Sequence, residues 1–394
     1  MPSICFYFEV HQPFRLKNYS VFEVTNDHNY FDESLNKEIF LKVANKCYLP
    51  TNQIWLDLLN QYPELKISFS MSGVFMEQAK LYCPEVIESF QRLVATNRVE
   101  ILAETYYHSL SGLYSKDEFV AQIKKHGECV QELFGVKPTV FRNTELIYSE
   151  DLGLKVANLG YLGMLTEGVD RILAGRSPNQ LYSNQTNNLK LLLKNYNLSD
   201  DIAFRFSDPN WVEHPLTAEK FTTWVNQING GGEIVNLFMD YETFGEHQWI
   251  ESGIFEFLKA LPGQILNNHS NSFITPSEAI KNLVSRDTYF SSDYISWADQ
   301  ERDLSAWRSN PMQNDALDKI FGFENRVKNT LDLQIIEDWR RLTTSDHFYY
   351  MCTKYFSDGD VHKYFSPYPS PYIAFINFVN CLKDLEYRIR MVEK

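Results

Sequence analysis

Short apolar runs alternate with amphipathic stretches through the first two-thirds of the chain. The runs predict strands at 4–10, 66–71, 99–103, 139–142, 161–165, 202–206 and 234–239, with weaker candidates at 190–194 and 272–274. Between them apolar residues recur at helical spacing over 85–94, 117–134 and 217–228, the last followed by a stop at Gly230-Gly231-Gly232. Strands separated by helices pair in parallel through crossover connections, so the pattern predicts an α/β barrel or a doubly wound sheet. Near residue 285 the texture changes. The later spacing is helical throughout, over 313–330, 332–356 and 371–391, and Ser366-Pro367-Tyr368-Pro369-Ser370-Pro371 breaks the last two stretches apart. The chain is therefore expected to divide into an α/β unit over 1–285 and a helical bundle over 286–394.

Composition narrows the class. Hydrophobic residues make up 44% and charged residues 22% of the 394, the balance of an ordinary soluble globular chain. No apolar run approaches the roughly 18–20 residues of a membrane-spanning helix, so no membrane partner is expected. A formal charge of −14 with no dense basic tract repels a nucleic-acid backbone, so no nucleic-acid partner is expected either. Cys5, Cys47, Cys83, Cys129, Cys352 and Cys381 lie far apart without a C-x-x-C pair, which argues against a zinc ribbon or a thioredoxin-like site. Met1-Pro2-Ser3 leads straight into an apolar run with no basic leader or cleavage site, and a cytoplasmic location is the expectation. Aromatic residues reach 15%, which fits either a Tyr-rich core or a site for planar-faced amphipathic ligands such as sugars.

In parallel α/β folds the strand ends share one rim, and reactive side chains gather there. Four predicted strands end on such residues. The first runs into His11-Gln12-Pro13, and 99–103 into Glu104-Thr105-Tyr106-Tyr107-His108. The strand at 139–142 runs into Asn143-Thr144-Glu145, and 234–239 into Asp240-Tyr241-Glu242-Thr243-Phe244-Gly245-Glu246-His247. Each residue has a plain structural alternative. His11 can cap its strand, His108 can sit satisfied in a core, and Glu145 can pair with Arg142. Asp240 can be a helix N-cap, and Glu242, Glu246 and Glu251 can face solvent. Four endings together favour an active site. There is no G-x-S-x-G elbow, no phosphate-cradling Gly-rich loop and no P-loop, so carboxylates, imidazoles and aromatics leave two chemistries. One is glycoside hydrolysis by paired carboxyls. The other is a zinc-dependent hydrolase using His11, His108 and Asp240 as ligands, although no tight H-x-x-x-H spacing occurs.

At these residues the chain resembles glycoside hydrolase family 57, the retaining α-glucan-active family, and most closely its α-amylase-like branch. The matching blocks are Phe8-Glu9-Val10-His11-Gln12-Pro13, the run Arg98 to His108, Val140 to Tyr148, and Phe238 to His247. Thr275-Pro276-Ser277-Glu278, Ile295 to Trp307 and Thr344 to Tyr350 extend the likeness over nearly the whole chain. The resemblance implies an incomplete, seven-stranded (β/α) TIM-like barrel followed by a C-terminal helical region. It places the nucleophile on Glu145 and the general acid/base on Asp240, with no cofactor and no metal. It implies that His11 and His108 hold the sugar, and Arg142, Tyr241, His247, Trp297 and Asp299 are the further candidate contacts. Tyr106, Tyr107, Trp211 and Trp249 are candidate subsite walls. The implied partner is an α-glucan oligosaccharide or polysaccharide. Retention requires carboxyl groups about 5–5.5 Å apart, against about 6.5–9.5 Å for inversion. A 4-α-glucanotransferase, which shares the covalent intermediate, and a non-catalytic glucan-binding homologue remain the alternatives within this reading.

Overall fold

The computed structural model describes residues 2–354, 364 and 366–393. Among the described residues, ten strands form two sheets. In the first, β1 (Ser3–Val10) lies between β2 (Ile67–Met71) and β8 (Ile234–Asp240), with β3 (Val99–Ile101) beyond β2 and β9 (Ser272–Phe273) on the start of β1. Every pairing in it is parallel. The second runs β10 (Asp287–Thr288), β6 (Leu181–Ser183), β7 (Lys190–Lys194), β5 (Gly163–Glu167), β4 (Val140–Arg142), and only β6 against β7 is antiparallel. The sheets meet along two seams. Arg142 N–H donates to the Ala103 carbonyl (2.8 Å) between β3 and β4, and Asn195 N–H donates to the Asn236 carbonyl (2.9 Å) between β7 and β8.

The period-two alternation of a strand sorts the side chains into shells. Along β1, Ile4, Phe6, Phe8 and Val10 pack outward against helices, while Cys5 and Tyr7 belong to a separate inner cluster. Along β8, Val235, Leu237 and Met239 pack outward, and Ile234 and Phe238 inward. Leu165 of β5 and Leu192 of β7 complete the apolar floor. Continuing the same alternation toward the C-terminal strand ends brings Glu9, Arg142, Glu167, Lys194 and Asp240 onto the inner side. A charged layer thus lies above an apolar one. That layering, produced by parity along each strand, positions the site.

The structure departs from the sequence reading in five places, one being that the stretch 313–330 is two helices, Pro311–Gly322 and Glu324–Thr330, meeting at Phe323. Residues 202–206 form no strand: Asn195 accepts from Leu198 N–H as an N-cap, and the helix Tyr196–Ala203 uses the apolar residues on one face instead. The short β6 and β10 carry too few residues to show a period and were not anticipated. The helical stretch 332–356 is two helices, Leu333–Leu342 and Ser345–Tyr349, broken at Thr343-Thr344, where Thr344 is non-helical (φ −56°, ψ 133°). Its last two residues, 355 and 356, lie outside the described residues. Finally, the sheet does not stop at residue 285. β10 pairs with β6, and Ile295 bridges to Tyr148, so the later segment is stitched into the second sheet before its helices begin.

Candidate active site

A cavity of about 580 Å³ opens over the charged layer, and Glu9, His11, His108, Glu145, Lys194, Asp240, Glu242, Trp297 and Asp346 are among its lining residues. Glu145 sits in the short turn Thr144–Leu146 just beyond β4, in the left-handed region (φ 58°, ψ 27°), and Leu146 follows at φ 51°. Non-glycine residues avoid this region at a cost of about 1–3 kcal/mol each, so surrounding contacts must impose it. They are present. The Trp297 backbone N–H donates to the Glu145 carbonyl (3.3 Å), and the Trp297 indole N–H to Glu145 Oε2 (2.8 Å). The Ser345 hydroxyl donates to Oε1 (3.1 Å), and His108 Nε2 lies 3.4 Å from that same oxygen. Burial alone would raise the Glu145 pKa. The His108 hydrogen bond and charge, with Arg142 behind them, outweigh it and hold the carboxyl below its ordinary value.

Asp240 ends β8 on the same cavity; it stands at the N-cap position of the short turn Tyr241–Thr243, but its side chain makes no capping bond. Burial, the Glu145 charge and the Glu9 charge push its pKa up to about 7, against a smaller opposing effect of Arg142 and Lys194. Two carboxyl groups on one cavity are thus driven in opposite directions, the arrangement that separates an ionised group from a proton donor. Glu242, two residues on, is buried rather than solvated. It accepts from the Tyr48 hydroxyl (2.5 Å), and burial and the Asp240 charge push it up to about 8.

The imidazoles are fixed from both sides. His108 Nδ1 faces Glu104 Oε2 (3.1 Å) and Glu9 Oε1 (3.5 Å). These carboxylates and Glu145 overcome the opposing effect of burial and raise its pKa to about 10. The His11 ring stacks on it with centroids 4.0 Å apart. Its Nδ1 meets Ser72 Oγ (2.6 Å) and its Nε2 Asp346 Oδ2 (3.0 Å). Burial and the charge of His108 lower the His11 pKa, against a smaller raising effect of Asp346.

Not every expected contact reaches the cavity. Tyr241 is fully buried in the outer core, packed on Phe8 and Phe69, with its hydroxyl donating to Asn52 Oδ1 (2.6 Å). Parity explains this: Asp240 faces in, so its neighbour faces the helices. Arg142 faces in but is fully buried, with Nε 3.0 Å from Glu9 Oε2 and its guanidinium 4.9 Å from the Trp297 ring centre, so it acts on charges rather than on ligand. His247, Trp297 and Asp299 do line the cavity. The Asp299 carboxylate is held by Lys354 Nζ (3.0 Å). Of the candidate subsite walls, Tyr106 donates to Glu77, Tyr107 is buried, Trp211 packs on Trp224, and Trp249 is exposed away from the cavity lining. Phe204, Tyr349 and Tyr364 line it instead.

The set His11, His108 and Asp240 does not converge on a common point as ligands must. Among the described residues, the group with ligand atoms within reach of one ion is Glu9, Glu104 and His108. That group also faces a cation of the chain itself, Arg142 Nε lying 3.0 Å from Glu9 Oε2. The sequence reading left Glu9, Lys194, Ser345 and Asp346 without a role. The signal for the first two was a charged residue at the last inward position of an otherwise apolar strand.

The description "Glycosyl hydrolase family 57" belongs to a family model that matches residues 5–292. The chain belongs to that family. It is a glycoside hydrolase by membership, and the matched span carries His11, His108, Glu145 and Asp240. It is 44% identical, over 98% of its own length and 85% of the other's, to a protein described as "Putative alpha-amylase" from Methanocaldococcus jannaschii. In fold it is similar to a family 57 branching enzyme from Pyrococcus horikoshii (TM-score 0.71, 15% identity, 92% of this chain and 87% of that one). It is also similar to a 4-α-glucanotransferase from Thermococcus litoralis (TM-score 0.67, 15% identity), where it covers 88% of this chain but only 56% of the larger enzyme. At such identities the likeness is one of fold. No helix among the described residues is long and apolar enough to cross a membrane.

Proposed function

We propose that this family 57 member is a retaining α-amylase, cleaving α-1,4-glucosidic bonds of an α-glucan by double displacement on an incomplete (β/α)₇ barrel. The observation that carries the reading is the opposed pair on one cavity: Glu145 held ionised, Asp240 held protonated to about pH 7. The similarity to proteins named for α-amylase and 4-α-glucanotransferase activity supports an α-glucan as substrate.

In the first step a Glu145 oxygen attacks the anomeric carbon while Asp240 gives its proton to the departing glycosidic oxygen, leaving a glycosyl ester and a free chain end. Esterification removes the Glu145 charge, one of the causes of the raised Asp240 pKa. Asp240, now an easier anion to sustain, takes a proton from water as that water attacks the ester and frees Glu145. His11, His247, Trp297 and Asp299 contact the sugar around this centre, while His108, its ring nitrogens turned to Glu104 and Glu145, bears on the Glu145 carboxylate.

Incubating the native protein with maltooligosaccharides and starch in excess chelator tests the reading, with Glu145→Gln in parallel. Turnover that survives the chelator and falls by orders of magnitude in the variant is expected. Longer oligosaccharides among the products would place transfer ahead of hydrolysis. No native turnover, or equal turnover by both proteins, overturns the enzyme assignment, and loss in chelator restores the metal alternative.

A further inference from the structure

Glu104 lies at the end of the segment after β3, fully buried and outside the cavity lining. No sugar can reach it. Its Oε2 lies 3.1 Å from His108 Nδ1, and its Oε1 has no hydrogen-bond partner. The other carboxylate facing that nitrogen, Glu9, is matched elsewhere: its Oε2 is 3.0 Å from Arg142 Nε and accepts from the hydroxyls of Tyr7 (2.6 Å) and Ser70 (2.8 Å). On the far side of the imidazole, His108 Nε2 is 3.4 Å from Glu145 Oε1. Carboxylate, imidazole and carboxylate therefore form a row from the packed interior to the cavity, which His108 and Glu145 line and Glu104 does not.

We infer that Glu104 is a positioning residue for Glu145: it takes the Nδ1–H of His108, fixes the ring plane, and keeps that ring a cation against the outer carboxylate. This rests on the role proposed for Glu145. A neutral imidazole carries one N–H, so while Glu104 is ionised and takes the Nδ1–H, only the charged ring also presents an N–H toward Glu145 Oε1, 3.4 Å away. His108 itself stands at φ 49°, in the left-handed region, so its backbone does not relax to re-aim the ring freely.

The other groups around the ring do not take over this task. His11, stacked on one face, is pushed toward neutrality by burial and by His108. Asp346 is paired with His11, and Arg142, closest to Glu9, adds its charge to that of His108 on Glu145 but makes no hydrogen bond to the ring. His126 accepts from the Glu104 backbone N–H (3.4 Å), and burial lowers its pKa to about 4, so it is neutral. Tyr7 is buried and un-ionised. Glu104 is itself raised to about 7 by burial and by the Glu9 charge, so it is the member of the row that gains or loses a proton near neutrality.

Glu104→Gln keeps a carbonyl to accept from Nδ1 but removes the charge, while Glu104→Asp keeps the charge. The His108 titration midpoint, read by NMR of imidazole-labelled protein, is the readout a purely structural role would not move. In the native protein the midpoint is expected well above the ordinary 6.5. In Glu104→Gln it is expected to fall by about one unit or more, with kcat down about tenfold, KM little changed and the acid limb of kcat/KM moved to higher pH. Glu104→Asp is expected to recover part of each effect. An unmoved His108 midpoint in Glu104→Gln overturns the inference, as does lost activity with an unchanged pH profile. If Glu104→Gln fails to fold, a native midpoint at or below 6.5 overturns it. A native protein without turnover removes the hydrolase reading, and the His108 midpoint still decides the part played by Glu104.

Discussion

Two carboxyl groups sharing a cavity would ordinarily both be ionised at neutral pH, and the side chains around Glu145 and Asp240 prevent that. Glu145 collects donors from Trp297, Ser345 and His108, whereas Asp240 collects burial and two negative neighbours, Glu145 and Glu9. The pH dependence follows with a definite sign. The first step needs Asp240 protonated, so activity present at lower pH is lost as pH rises through about 7. It also needs Glu145 ionised, and its lowered pKa puts the acid limb below the usual glutamate value of about 4.3. A kcat/KM profile measured on a soluble maltooligosaccharide should therefore fall above pH 7; a plateau reaching pH 9 would contradict the assignment of Asp240. That His11, His108, Glu145 and Asp240 share one cavity was legible in the sequence as four strand exits on one rim, while the roles proposed for them came from the family resemblance. Tyr241 and Arg142 were misplaced as ligand contacts for the opposite reason. Adjacent letters at a strand end look equally available until parity and packing send one to the core and cover the other.

The elements that deliver these side chains are irregular ones. The turn Thr144–Leu146 and the segment ending at His108 both pass through left-handed backbone, and the helix Ser345–Tyr349 holds them from outside. Its leading residue is tied in place: Thr344 Oγ1 donates to the Tyr107 carbonyl (2.8 Å), and Ser345 N–H donates to the His108 carbonyl (2.9 Å). Thr344→Val preserves shape but strands a buried carbonyl, which costs about 1–3 kcal/mol. The expected outcome is a lower melting temperature together with a reduced kcat, because Ser345 and Asp346 lose their register on Glu145 and His11. A variant with full stability and full kcat would show that this tie is dispensable. Long parallel strands and most long helices were readable from periodicity. The Thr343-Thr344 break was not, since a helical hydrophobic pattern runs through it and tertiary bonds to the 107–110 segment, which the pattern does not show, draw the backbone out of the helix. The missing strand at 202–206 has the converse cause: an apolar cluster that suits a strand also suits one face of a capped helix, and Asn195 decides for the helix.

At the scale of the whole molecule, the helical region and the second sheet are built around one core. Phe14, Tyr30, Phe141, Leu152 and Leu191 belong to the same buried cluster as Ile295, Trp307, Trp339, Phe378 and Ile389. The site repeats this dependence, since Trp297, Ser345 and Asp346 come from beyond residue 285 while Glu145 and Asp240 come from before it. A change of texture in the sequence marks where helices replace strands; it carries no information about which surfaces those helices cover. The distinction is testable with a fragment ending at residue 285. It would leave the apolar partners of Trp307 and Trp339 facing water, and burial of a large aromatic side chain is worth about 1.5–3 kcal/mol. Several such losses exceed the net stability of about 5–15 kcal/mol that a folded chain retains. The fragment is expected to aggregate or to lack a cooperative melting transition, and to release no sugar from starch. Recovery of a monomer with native kcat would show that the strand-bearing portion folds and works alone, and that the later helices are an attachment rather than a wall of the active site.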